Sequence, residues 1–91
     1  MNGNRIALSS MAMDLKRVAL GYHRGSNIMA ERFLEEALKR KNDLDISKLK
    51  PYLKKIIQNL ERIQSQKDKH EVAEYALLCS TLIQNAALTF N

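Results

Sequence analysis

Residues 21 to 27, GYHRGSN, set a histidine and an arginine between two glycines, with a serine and an asparagine behind them. Histidine titrates nearest neutrality, so His23 beside Arg24 could grip a phosphate or pass a proton. A phosphate-cradling loop needs GxxxxGK and a hydroxyl residue after a strand, and this spacing lacks it. The plainer role is structural, with His23 and Arg24 flanking a helix contact that Gly25 makes close. A helix-turn-helix anchored on Gly25 would place Gly21 and Glu31 at its outer positions, and a glutamate does not suit a buried one.

The other chemical candidates are thinner. His70 and Glu74 have the i, i+4 spacing of a helical metal pair, without further ligands in the pattern. Glu31, Glu35 and Glu36 lack the second acidic cluster and ExxH that a di-metal bundle requires. Cys79 is the single cysteine and lies on an apolar stripe, where burial keeps a thiol inert. No nucleophile, base and orienting group fall together. The expectation is a protein with no catalytic residue, no metal and no cofactor. Lys48, Lys55 and Arg62 recur every seven residues with Lys54 alongside, a row that could track phosphates.

The elements that carry these residues follow from composition. The 91 residues make one domain and include three Gly and one Pro, too few for the turns of an all-β domain. All-α is the implied class. There is no Trp and only 5% aromatic content, so Leu, Ile, Met and Ala fill the core. The net charge is +5, a mild surplus that favours acidic partners. A lone Cys fits a reducing compartment, most simply the cytoplasm. No run approaches the roughly 18 apolar residues of a membrane span.

Periodicity places the helices. Residues 1–8 show none and read as a flexible N-terminal extension, with 9–91 a single helical domain. Met11, Leu15, Val18 and Tyr22 share one face, and Met29, Phe33 and Ala37 continue nearly in phase. That phase favours one long helix over 9–41, about 45 Å long at 1.5 Å per residue. Gly25 followed by Ser26 and Asn27 also resembles a stop and a restart, which would give four helices instead of three. Glu35 with Lys39 and Glu36 with Arg40 suit an exposed face. Pro51 opens a second helix over about 48–64, and Asp68 with Glu71 resembles a capping box opening a third over 69–90.

The third helix carries no charged residue from Tyr75 to Asn91, although a surface helix of a small monomer should show a charged face. Together with the overhang of a long first helix, this implies burial by a second subunit. The expected interface is Tyr75, Leu78, Cys79, Leu82, Ile83, Ala86 and Phe90. The functional expectation is a non-enzymatic, self-associating helical module, most simply a homodimer with room for another protein partner and no membrane role. The alternative is a small basic nucleic-acid-binding protein using Lys48, Lys54, Lys55 and Arg62 for non-specific phosphate contacts.

Overall fold

The computed structural model describes residues 3–89, and helices and turns account for their regular structure. Four α-helices follow one another: α1 Gly3–His23, α2 Asn27–Arg40, α3 Pro51–Ile63 and α4 Lys69–Thr89. Two short 3-10 turns, Lys41–Asp43 and Ile46–Lys48, join α2 to α3. The small all-α bundle is therefore of the four-helix kind. The continuous helix over 9–41 does not form.

The break has a clear local cause. Gly25 takes φ 75°, a left-handed conformation that side chains with a Cβ disfavour. Its amide donates to Tyr22 O at 3.1 Å, and the Ser26 amide donates to Gly21 O at 2.8 Å. Those two bonds are the paired closure of a Schellman motif, which satisfies carbonyls that the helix end would leave open. The near-match in phase across the break is a coincidence. Met29 is 47% exposed, and α2 buries Ala30, Leu34 and Ala37 instead.

The close helix contact predicted at Gly25 lies four residues earlier. A Cβ on Gly21 would sit 2.9 Å from Ala30 Cβ and 3.0 Å from both Ala30 Cα and N, whereas nothing lies within 4 Å of a Cβ on Gly25. Gly21 lets α2 fold back against α1, and Gly25 turns the chain.

Residues 3–8 are helical, correcting the expected loose extension over the described part of 1–8. Ala7 and Leu8 are buried in the core. Asn4 is buried too and holds the loop that leads to α3. Its Nδ2 donates to Asp45 O at 3.1 Å, and the Asp45 amide donates to Asn4 Oδ1 at 2.7 Å. Apolar periodicity does not mark this helix start, because its anchor is the polar side chain of Asn4.

Proline starts α3. Lys50 is extended at φ −64°, ψ 150°, with Pro51 in the first turn, as sterics before proline demand. At α4, Asp68 Oδ1 accepts from the His70 and Glu71 amides at 3.0 and 3.3 Å. Half of the capping box forms. Glu71 Oε2 instead accepts from Gln66 Nε2 at 3.2 Å.

The helices run up, down, up and down. Gln64, at the end of α3, lines the same hollow as Tyr22 and Glu31 beside the α1–α2 turn. Asn4 and Asp45 mark the opposite end. α1 packs directly against both α2 and α4. Ser80 Oγ donates to Ala12 O at 2.9 Å, and small buried residues recur every seven positions on that seam: Ala12 and Ala19, Ala73, Ser80 and Ala87. Small side chains let the two backbones approach.

α3 closes the inner side. Leu53, Ile57 and Leu60 join Leu8, Met11, Leu15 and Val18 of α1 and Cys79 and Ile83 of α4 in one core. Each large side chain fully buried there contributes roughly 1.5–3 kcal/mol. Lys41 Nζ pairs with Glu61 Oε1 and ties the first 3-10 turn to α3. No helix among the described residues is long and apolar enough to cross a membrane.

Candidate interaction surface

With α3 covering one side of the α2–α1–α4 layer, the opposite side is open. There α1 exposes Ile6, Met13 and Leu20 at 49%, 54% and 44%. These residues are seven apart, so they form one stripe along the helix. It lies directly opposite the face that carries Leu8, Met11, Leu15 and Val18. Ser9 and Ser10, then Lys16 and Arg17, fill the spaces between. Beside them α4 exposes Leu77 and Leu88 at 46% and 62%, with Thr81 and Asn85 between. A shallow groove of about 500 Å³ runs between the helices, floored by Ala12 and Ser80 and flanked by Met13, Lys16, Leu77 and Gln84.

The expected interface stripe is largely elsewhere. Cys79, Ile83 and Ala86 are buried within the chain itself, so α1 and α3 take up surface that a second subunit was expected to cover. Tyr75 and Leu82 are half-buried, and Leu78 is exposed at 56% on another side of α4. Phe90 lies outside the described residues. The reason is geometric: the strongest apolar stripe of α4 is the one its own chain uses. The outward residues that replace it are uncharged rather than strongly apolar. The length argument also falls away, because α1 and α4 both have 21 residues.

The basic row is interrupted. Lys48 belongs to a 3-10 turn before α3, and its Nζ lies 4.0 Å from Asp45 Oδ2. Lys55 and Arg62 are exposed on α3 and Lys54 is half-buried. Tyr52, 46% exposed, stands one turn ahead of Lys55 and adds an aromatic beside the row.

His23 and Arg24 are exposed at the end of α1. His70 Nε2 lies 3.0 Å from Glu74 Oε1 on the surface, and no third ligand-type side chain joins them among the described residues. Burial pushes the Cys79 thiol up to about 11, against the opposing pull of a hydrogen bond with Tyr75. That thiol stays protonated at neutral pH. Glu36 pairs with Lys39 at 3.6 Å, whereas Arg40 turns inward.

Arg40 enters a cluster that periodicity did not reveal. Asp14 is the only acidic residue of α1 and is buried. Its carboxylate faces Arg17 at 3.5 Å and Arg40 Nε at 3.6 Å. Asp14 Oδ2 and Arg40 Nε are buried and form no hydrogen bond, so this is a close charge pairing rather than a bonded one. Arg17 also stacks over Phe33, 5.4 Å from the ring centroid. One clue was available: an aspartate at position 14 interrupts an otherwise apolar and basic helix. With Asp14 buried and no acid after Glu74 on α4, the middle of the open face presents no carboxylate from α1 or α4.

Comparison of the chain with protein-family models, with curated proteins and with solved structures finds no match in any of the three.

Proposed function

We propose that this chain is a non-enzymatic helical interaction module that self-associates, as a dimer, through the open face of α1 and α4. One observation carries the reading: the seven-residue stripe Ile6, Met13, Leu20 is exposed on the outer side of the central helix, with Leu77 and Leu88 beside it. Apolar side chains in such a row form the seam of paired helices. The molecule measures 37 × 20 × 19 Å, so a long face offers an area on the order of the roughly 800 Å² per partner that a stable interface takes. A two-fold dimer is the commonest way for a chain to cover its own surface. A cytoplasmic setting belongs to the same reading, resting on a single buried thiol. Sedimentation velocity over a dilution series tests it. The wild type should sediment faster as concentration rises, and Leu77→Lys should shift that rise to higher concentration with its helicity intact. A sedimentation coefficient independent of concentration at the monomer value overturns it.

The second reading, nucleic-acid binding through α3, draws on exposed Lys55, Arg62 and Tyr52. It is the weaker, because Lys48 pairs with Asp45 and no longer extends the row. Duplex binding with a log–log salt slope of about −0.9 per phosphate contacted, lowered by Lys55→Ala and Arg62→Ala, would favour it.

A further inference from the structure

We infer that the second copy docks antiparallel on α1, about a two-fold axis passing beside Met13. This deepens the self-association reading and rests on it. In a two-fold interface, when residue i of one copy meets residue j of the other, j also meets i. The exposed stripe satisfies that rule when reversed. Ile6 and Leu20 each stand seven residues from Met13, so reversal exchanges them and returns Met13 to itself. The stripe from Ile6 to Leu20 spans about 21 Å, enough for three apolar contacts: Met13 on Met13, and Ile6 on Leu20 twice.

Charge selects the direction. Antiparallel pairing centred on Met13, with α4 over α4, sets Lys16 across from Ser9 of the second copy on the α4 flank, and Arg17 across from Ser10 on the α2 flank. Parallel pairing exchanges the flanks and would set Lys16 of each copy against Arg17 of the other, and like charges opposed across an interface are destabilising. No carboxylate on the face of α1 offsets them, because Asp14 is buried. The structure also draws both cations off the seam. Lys16 flanks the groove toward α4, and Arg17 leans toward α2 onto Phe33 and Asp14. Serines and displaced cations leave the centre of the stripe clear.

The same axis lays α4 over α4 of the second copy. Ser80 stands level with Ala12, so the axis crosses α4 near Cys79, and Leu77 falls across from Thr81 of the second copy. The groove floored by Ala12 and Ser80 is then roofed by its own image. Glu71 and Glu74, the only acids of α4, lie toward its far end.

Cysteine cross-linking reads this arrangement. In a Cys79→Ala background, Ile6→Cys, Met13→Cys and Leu20→Cys are made singly, together with the Ile6→Cys, Leu20→Cys double variant. All three positions are half-exposed, so the fold tolerates them. A disulfide needs Cα atoms roughly 4.4–6.8 Å apart. Under mild oxidation Met13→Cys should give mostly covalent dimer, each other single variant little, and the double variant mostly dimer. Cross-linking by Ile6→Cys alone and Leu20→Cys alone would show parallel pairing and overturn the inference. A dimeric mass with no cross-link at Met13→Cys would overturn the axis while leaving self-association standing. A monomeric mass for the Cys79→Ala parent and wild type alike would overturn both. Circular dichroism of each variant shows that the helices persist.

Discussion

Gly21→Ala should destabilise the protein even though it replaces glycine by the best helix former. Position 21 is the third-last residue of α1, and in a helix interior the exchange alone would gain about 1 kcal/mol. Here the new methyl would meet Ala30 Cβ at 2.9 Å and Ala30 Cα and N at 3.0 Å. Two of those three atoms are backbone, so no side-chain rotation relieves the clash. α2 must shift away from α1, loosening Leu34 and Ala37 in the core behind it. Overpacking of this kind costs about 1–3 kcal/mol; less the helix gain of about 1 kcal/mol, the net loss is up to about 2 kcal/mol. For a domain of this size, each 1 kcal/mol lowers Tm by about 4–8 °C. Urea unfolding followed by circular dichroism at constant m reads the loss directly. Ala30→Gly should cost stability alone yet recover part of it in the Gly21→Ala background, a coupling expected of residues in contact. Gly21→Ala at or above wild-type stability, or strict additivity of the two changes, would refute the reasoning.

Gly25→Ala should lose about 1 kcal/mol through backbone strain at φ 75°, and Gly25→Asn less, because asparagine tolerates that conformation; equal losses in chemical denaturation would argue against the turn. Stability should fall as pH rises from about 9 to about 11, since the folded state holds the Cys79 thiol protonated up to about 11. The stability gained from this raised value is complete below the unfolded thiol's range and is lost through the folded one. Tyr22 and Tyr75, also raised by burial, add in the same direction at the top of that window, and Cys79→Ala should flatten the lower part of the slope in urea titrations. Arg40→Met should cost about 1–3 kcal/mol because it leaves buried Asp14 Oδ2 without its cation. Asp14→Asn should cost less, as Arg17 and Arg40 are 47% and 42% exposed and can turn to water; the reverse order in thermal unfolding would contradict the pairing.

What could be read from the residues depended on whether one side chain or several decided the outcome. Scarce glycine and proline and Pro51 at a helix start act through their own backbone, Asp68 caps through its own side chain, and each was legible. The turn at Gly25 was legible only as an alternative. Its decisive hydrogen bonds, from Gly25 to Tyr22 and from Ser26 to Gly21, depend on backbone angles that a periodic pattern does not encode. Gly21 looked like Gly25 in sequence, and only the approach of Ala30 separates their roles. Asn4 anchors its helix through Asp45, 41 residues away, beyond any local pattern. Part of the expected interface stripe turns inward for a related reason. The apolar stripe of a helix marks a buried face without saying whose surface buries it, and Cys79, Ile83 and Ala86 turn toward the chain's own core. The seven-residue repeat of Ile6, Met13 and Leu20 was visible throughout. The stronger Met11, Leu15, Val18 stripe of the same helix masks it, and residue 6 falls in the stretch that lacks the main periodicity.

The most direct test of self-association through the open face is the molar mass of wild type and Met13→Glu, measured by light scattering at micromolar concentration. Met13 is 54% exposed in the single chain, so a glutamate there should leave the fold unchanged. Across a two-fold seam it would place two carboxylates against each other in an apolar setting, where desolvation and like charge oppose the pairing. The wild type should therefore weigh twice the 10.4 kDa of one chain, and Met13→Glu should weigh one chain with its helicity retained. A wild type that weighs 10.4 kDa throughout the range, or a Met13→Glu variant that remains dimeric, would contradict it.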